Sequence, residues 1–526
     1  MFLNSYISGM IPSAMSSHLH KLVSLDLSHN DLSFEGNSFE NLLGNLTQRR
    51  ELFLDAIDLS WVAPTYFQNL SSSIMVLSLS DNDLHGELPE GIFRFPYLQK
   101  LRITDHDSLE VNFPKSNWSS PLRSLEVFSV NIARELPLPS SIGNLRFLEV
   151  LDLGFCNLKG SIPFSFSNFN QLRYLDLSGN QLHGQFPDVF GNLTKLFHLS
   201  LRDNQFSGHL PFSVFDLSHI VYLDMSQNKL VGSLPSQVSG LSLLSSLDLS
   251  GNFLSGRIPP SLFTLPSLFD LYLNDIKFTG PIDQFDQPSA SSESVYLMNN
   301  EIHGPIPSSV FALLNLTSLD LSSNKLTGIS EPNNLPNLNK LENLDLSNNT
   351  LLSFKKGLEE LDLSYNRINA IEADMFSKLK NLRLLDLSHN SQLSLSTTNN
   401  VSLFLLNLRS LSCSSCNISE FSDFVRNLEG LEELVLSYNR INVIEADLSN
   451  NSIQGKISMG QSEGWPSLTW LDLSNNVLTD IEHYPWKNTI NLSNNDLDGL
   501  LPKSLMNCSQ LEVLNVGNNK ISDNLS

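Results

Sequence analysis

Leu199-Ser-Leu201-Arg-Asp-Asn204-Gln-Phe-Ser-Gly208-His-Leu-Pro211 is followed, 24 residues on, by Leu223-Asp-Met-Ser-Gln-Asn228-Lys-Leu-Val-Gly232-Ser-Leu-Pro235. Two leucine-type positions separated by one residue, then Asn, then Gly and Pro, keep the same spacing in both. The pattern L-x-L-x-x-N-x-L extends in both directions. Its Asn falls at Asn180, Asn204, Asn228, Asn252, Asn300 and Asn324 in a run whose step is 24 residues or a multiple of it. Further copies lie at Asn30, Asn82, Asn349, Asn366, Asn390, Asn439, Asn451, Asn476, Asn495 and Asn519. Weaker ones put Ser5, Ile57, His106, Val130, Cys156, Ile276 or Cys416 in the slot, for about 23 copies in all.

A period of 20–29 residues with this pattern marks a leucine-rich repeat. Each part of the unit has a physical reason. Alternating leucines suit a short strand with one buried face. An Asn after the strand turns inward, where its amide can satisfy backbone groups of neighbouring coils that would be costly to leave unpaired. Gly208 permits a tight bend, and Pro211 fixes φ as the chain crosses to the outer side. The expected fold is a β-rich solenoid, a right-handed superhelix of about 23 coils. It has a parallel sheet on the concave face and 3₁₀ or irregular turns on the convex one. At ~4.8 Å per strand the arc would be on the order of 110 Å, one elongated domain over 1–526. Irregular short coils are expected near 350–366, 436–455 and 477–495, where the ladder steps shorten. Leu363-Ser-Tyr-Asn-Arg-Ile-Asn-Ala-Ile-Glu-Ala-Asp374 returns almost letter for letter at Leu436 to Asp447, so a duplication and deletion should leave a local defect around 440–455.

The continuation N-x-L-x-G-x-I-P appears as Asn252-Phe-Leu-Ser-Gly-Arg-Ile-Pro259 and Asn300-Glu-Ile-His-Gly-Pro-Ile-Pro307, and with a change at its first position as Cys156-Asn-Leu-Lys-Gly-Ser-Ile-Pro163. It resembles the plant-type repeat of extracellular receptors and inhibitors. Leu411-Ser-Cys-Ser-Ser-Cys-Asn-Ile-Ser419 and Pro502-Lys-Ser-Leu-Met-Asn-Cys-Ser509 are most similar to plant receptor-like proteins, the disease-resistance and developmental receptors. The resemblance implies a repeat ectodomain at the extracellular side of the plasma membrane, recognising a peptide or protein ligand in defence signalling through a partner receptor kinase. Two alternatives share the repeat class: a secreted inhibitor of pathogen cell-wall-degrading enzymes, and the ectodomain of a receptor kinase. The family's ectodomains begin with a signal peptide and a Cys-paired cap. This sequence enters and stops mid-repeat with no targeting or transmembrane segment, so it is expected to be a fragment of a longer parent.

Composition agrees with a binding scaffold. Lys+Arg is 32 against 55 Asp+Glu, a net charge of -23, which repels phosphate backbones and anionic lipid surfaces. With 41% apolar residues the chain is not of the disordered class. The signatures of serine hydrolases, zincins, phosphate-binding loops and kinases are missing from the sequence, so no enzymatic activity, cofactor or metal is expected. Cys413-Ser-Ser-Cys416 has redox or half-zinc spacing. Its register instead puts Cys413 at a leucine position and Cys416 in the Asn slot, as small buried hydrophobes; Cys508 is read the same way.

The solvent-facing strand positions supply the candidate ligand surface: Tyr174, His198, Arg202, Tyr222, Asp270, Tyr272, Tyr296 and Met298. Tyrosine and arginine carry much of the energy of protein interfaces. The residue between the leucines is usually Asp, a stripe that belongs to the repeat itself. His198 and His303 are expected to be solvated. Glycosylation candidates by the N-x-[ST] rule are Asn45, Asn69, Asn117, Asn192, Asn315, Asn348, Asn400, Asn491 and Asn507, with Asn417 half-buried and blocked.

Overall fold

The computed structural model describes residues 7–11, 22–34, 38–45, 50–116, 118–132, 137–238, 240–329, 340–350, 359–368, 382–393, 405, 407–419, 428, 430–441, 445–446, 458–459, 467–479, 487–501 and 508–522. It divides into two compact units, Met1–Leu268 and Phe269–Ser526. Each is a stack of coils.

In the first unit, short strands such as Val150–Asp152, Tyr174–Asp176, His198–Ser200 and Tyr222–Asp224 pair in parallel and in register. Leu151, Leu175, Leu199 and Leu223 therefore lie one above another, all at 1% exposure or less. Three residues suffice for each strand because neighbouring coils complete its hydrogen bonds. In the second unit Asp270–Tyr272, Ser294–Tyr296, Ser318–Asp320 and Asn343–Asp345 repeat the arrangement. A second parallel ladder, which the repeat pattern had not suggested, follows the Asn. In the first unit it runs through Gln181–Gln185, Gln205–His209 and Lys229–Gly232. Gly208 and Gly232 end its strands at φ +81° and +93°, and a Cβ at Gly232 would come within 2.3 Å of the His209 ring. On the outer side, prolines such as Pro139, Pro163 and Pro211 precede 3₁₀ turns at Ser140–Asn144, Phe164–Asn168 and Phe212–Asp216. The buried phenylalanines of these turns, Phe166 among them, fill the core between the two ladders.

The Asn side chains are hydrogen-bonded on both faces. Asn228 Nδ2 donates to Leu201 O of the preceding coil at 2.9 Å and to Ser226 O of its own at 3.0 Å. Its Oδ1 accepts from Phe206 N, again in the preceding coil, at 3.0 Å. The same bonds recur at Asn180, Asn204, Asn252, Asn300 and Asn324. Where His106, Cys156 or Cys416 holds the slot, a donor survives: His106 Nε2 bonds Leu79 O at 2.9 Å, and the thiols of Cys156 and Cys416 donate to Val127 O and Leu387 O at 2.8 and 3.0 Å, whereas Ile57, Val130 and Ile276 have no side-chain donor to offer.

The residue before the slot takes the left-handed conformation in coil after coil, as at Asp203, Gln227 and Asn299, with φ of 52°, 54° and 53°. This reversal, invisible in the leucine spacing, aims the Asn inward. L-residues other than Gly, Asn and Asp adopt it at a cost of about 1–2 kcal/mol.

Two expectations about the coils need correction. The sheet has fewer strands among the described residues than the 23 copies counted. Glu433–Val435 pairs directly with Trp470–Asp472, and Asn439 is followed in the amide ladder by Asn476, which bonds Leu436 O and Ile441 N. Asn451 itself lies outside the described residues. Ser5 lies outside the described residues. The shortened steps at 350–366 and 477–495 do keep register, Asn343–Asp345 with Glu360–Asp362 and Trp470–Asp472 with Thr489–Asn491.

Asn228→Ala leaves the Phe206 N–H unpaired in the interior and the Leu201 carbonyl with only the longer bond from Asn204 Nδ2, at 3.2 Å. Denaturant melts should show a loss of about 1–3 kcal/mol. Lys229→Ala, exposed on the next residue, should change stability by no more than about 0.5 kcal/mol.

Candidate ligand-binding site

Strand alternation presents two lanes of side chains to solvent in each unit: the residue before the first leucine and the residue between the two. In-register stacking brings lane neighbours about 4.8 Å apart, so equivalent residues of successive coils touch. Tyr174, His198 and Tyr222 share the first lane of the Met1–Leu268 unit. Their rings form a continuous stack, with centroids 4.2 Å apart and planes 8° apart for Tyr174–His198, and 4.5 Å and 5° for His198–Tyr222. Phe197 and Val221, both partly exposed, border the stack. Exposed Arg202 stands nearby, close enough for its charge to act on Tyr222 and Asp248.

His198 is not the solvated side chain expected. Sandwiched between two phenols, its Nε2 is buried with no hydrogen-bond partner. Burial holds its pKa below the ordinary value, against the pull of Asp176 and Asp224, so the ring is neutral near pH 7. Burial, and after it the adjacent carboxylates, push the Tyr174 and Tyr222 hydroxyls up, which keeps both as donors. Tyr222 uses its hydrogen on Asp224 Oδ2 at 3.1 Å. The strip is aromatic, neutral and rigid, with Arg202 as its cation.

In the Phe269–Ser526 unit the tyrosines occupy the other lane. Tyr272 and Tyr296 stand between leucines, where most coils have Asp, and stack at 5.1 Å with planes 2° apart. Tyr296 also donates from its hydroxyl to Ser318 Oγ at 3.3 Å. Asp270 lies in the first lane beside Ser294, and Met298 is half-buried past the second leucine. The eight candidates therefore form two groups, one in each unit, rather than a single uniform lane.

The Asp stripe has a local role. Each carboxylate accepts the backbone N–H two residues on, as Asp176 does from Ser178 at 2.8 Å and Asp320 from Ser322 at 2.9 Å. The bond caps the strand end and holds the turn that follows. Stacked in register and half-buried, the acids resist ionisation: burial first, then the neighbouring Asp176 and Glu126, raise Asp152 to about 6. Asp248, Asp320, Asp345 and Asp362 shift the same way for the same reasons.

Cys156, Cys413 and Cys416 are buried and unpaired, and burial raises the Cys156 thiol to about 12. Cys508, in contrast to its reading as a buried residue, is only partly buried. Among the sequons, Asn69 and Asn192 are exposed at the ends of 3₁₀ turns, and Asn348 is exposed as well. Asn315 is partly covered, donating to Ala290 O and accepting from Lys340 Nζ. Asn491 sits on the strand in the Asp lane, accepting from Ser493 N at 3.2 Å. Asn45 ends the helix Ser38–Asn45. Asn117, Asn400 and Asn507 lie outside the described residues. Asn417 is exposed rather than half-buried, because it follows the slot and points away from the core. His303 is exposed. Among the described residues no cluster of three or more His, Cys, Asp or Glu could hold a metal ion, and no helix is long and apolar enough to cross a membrane.

Leucine-rich repeat family models match residues 146–206 and 353–391, and, for shorter units, 219–241, 243–265, 315–338 and 488–508. The chain is 41% identical over 156 residues to Receptor-like protein 9DC1 of Solanum pimpinellifolium, covering 29% of this chain and 17% of that protein. It is 34% identical over 176 residues to Receptor-like protein 7 of Arabidopsis thaliana, covering 31% and 18%. These matches span less than a fifth of either relative. Among solved structures, the plant peptide hormone receptor RGFR1 in complex with RGF2 superposes with a TM-score of 0.67 at 26% identity, covering 98% of this chain and 85% of that one. The Arabidopsis receptor kinase HAESA, in complex with the peptide hormone IDA and the co-receptor SERK1, gives 0.67 at 26%, covering 99% and 86%.

The raised Asp152 has a pH consequence. Its folded-state value exceeds that of the unfolded chain, so its contribution is complete below about 3.8 and lost as pH rises through about 6. Asp152→Asn keeps the carbonyl acceptor, as Asn491 does in the same lane, and removes the charge. Between about pH 4 and about pH 7.5, urea unfolding should show the variant gaining on the native chain by on the order of 1 kcal/mol. An equal gap at both pH values would mean that the carboxylate is relaxed in the fold.

Proposed function

We propose, for a chain that belongs to the plant leucine-rich repeat receptor-like proteins, that it is the ligand-binding part of a cell-surface receptor and recognises a peptide or protein. The observation that carries this reading is the Tyr174–His198–Tyr222 stack with Arg202 beside it. Aromatic rings already fixed by their neighbours lose little entropy on contact, which is what a binding surface needs. The comparisons support a ligand of this class, since RGFR1 and HAESA are each described in complex with a peptide hormone.

The finer parts of the proposal rest on the same relatives. The parent sits at the plasma membrane with these repeats outside the cell, acts in defence, and signals through a partner receptor kinase. Asn69, Asn192 and Asn348 carry glycans, being exposed at positions that leave the concave lanes clear. A secreted inhibitor of wall-degrading enzymes is the alternative, and the ligand would separate the two: an enzyme surface rather than a peptide.

The test is capture of secreted peptides and proteins from plant extracellular fluid on the immobilised chain, quantified by mass spectrometry and followed by titration of the species retained. Tyr222→Ala and Arg202→Ala should each weaken binding at least tenfold, about 1.4 kcal/mol, if the first unit carries the contact. Tyr272→Ala and Tyr296→Ala should do so if the second unit shares it. Gln237→Ala, exposed away from both lanes, should leave affinity unchanged. Retention that none of the four variants alters would reject the concave lanes as the site.

A further inference from the structure

Past the second leucine of each coil the chain reverses in the left-handed conformation. In the Phe269–Ser526 unit that position is mostly held by residues that tolerate it or are small, such as Asp275, Asn299, Ser323 and Asn475. Two coils depart from this with tyrosine, Tyr365 at φ 53° and Tyr438 at φ 54°, and a third with His389 at φ 60°. A bulky side chain there is strained. The strain is not offset by burial, because Tyr365 is 55% exposed and Tyr438 64%.

These residues lie in one line. Glu360–Asp362, Leu384–Asp386, Ser410–Ser412 and Glu433–Val435 pair successively in register. The ladder continues past the leucines, with Tyr365 N donating to Ser388 O at 2.8 Å and His389 N to Ser414 O at 2.7 Å. The Tyr365 and His389 rings stack at 4.0 Å. Both tyrosines belong to the sequence Tyr-Asn-Arg-Ile-Asn, which places exposed Arg367 and Arg440 just beyond the buried Asn of the same coils. No ion pair among the described residues engages either arginine. The nearby acids Asp362 and Asp386 are turned to the backbone N–H groups of Ser364 and Ser388.

We propose that this rim, Tyr365–Arg367, His389 and Tyr438–Arg440, is a docking strip for an acidic, extended segment of a protein partner, distinct from the concave lanes. Two exposed guanidinium groups with no ion pair among the described residues, on a chain of net charge -23, form a local positive site where carboxylates bind in bidentate fashion. The strained tyrosines border the two cations and give them apolar flanks. Three coil steps at ~4.8 Å separate the arginines by roughly 14 Å, the length of about four extended residues. The preferred segment therefore carries acidic residues four apart.

The experiment uses the full 526-residue chain and a fluorescein-labelled peptide of extended, Thr- and Val-rich sequence with two glutamates four residues apart, against the same peptide with glutamines. Fluorescence anisotropy should show the glutamate peptide binding at least tenfold more tightly, and less so as salt is raised. Arg367→Ala with Arg440→Ala should abolish that preference. Arg173→Ala, an exposed arginine of the other unit, should keep it. Tyr365→Asn with Tyr438→Asn should raise the melting temperature by relieving the backbone and weaken the glutamate peptide at least threefold. Equal binding of the two peptides, a preference that survives in the double arginine variant, or a lower melting temperature in the double tyrosine variant would each overturn the proposal.

Discussion

A buried carboxamide that bonds two coils at once is the constraint on which the rest depends. Each coil leaves carbonyls and N–H groups facing an interior without water, at about 1–3 kcal/mol for every one left unpaired. An Asn amide donates to one coil's carbonyl and accepts from its N–H, as Asn204 does with Leu177 O and Leu182 N. Meeting both partners leaves little freedom in the offset between coils. Ile57, Val130 and Ile276 give up both halves at single coils, while the polar substitutions keep one. His106, Cys156 and Cys416 keep a donor to the preceding carbonyl. At Cys156 the acceptor role passes to the main chain, with Ile132 N bonding Cys156 O at 3.2 Å.

A fixed offset determines what the surface can be. Residues one repeat apart become neighbours at strand spacing, so a run of similar residues becomes a stripe. Aromatic rings in such a stripe stack face to face, as Tyr174, His198 and Tyr222 do. Carboxylates in such a stripe are half-buried and also repel, and burial first, then repulsion, makes Asp152, Asp345 and Asp362 resist ionisation. The acids persist because each also caps its own strand end through the N–H two residues on. Tyr272 and Tyr296 mark coils where the cap has been given up for aromatic surface.

The reversal before each Asn imposes a second cost. Glycine would remove it, and Gly179 and Gly251 hold the position in two coils. At Gly179 the small residue has a further use, since the Phe155 ring lies within 2.4 Å of where a Cβ would sit. Phe155, itself left-handed at φ 53°, meets Phe128 edge to face, with ring centroids 5.5 Å apart. That strained aromatic is anchored by packing. Tyr438, 64% exposed, has no such ring contact among the described residues.

The leucine and Asn spacing was enough to determine the solenoid, the parallel in-register strands, the inward Asn and the burial of Cys413 and Cys416. Those features follow from period and polarity alone, because any other register would expose leucines or strand an amide. The lane partners of the strand face were legible too, as residues 24 apart. Other features needed the folded chain. The second ladder depends on main-chain bonds that any residue can make, so it leaves no mark on side-chain pattern. The left-handed reversal is masked for the same reason, since the fold tolerates Tyr, Gln or Ser there. That His198 is sealed between two rings, and that the amide following Asn439 in the ladder is that of Asn476, was decided by tertiary structure. A motif specifies what a coil would bond, but only the stacked neighbours decide whether there is chain enough to reach it.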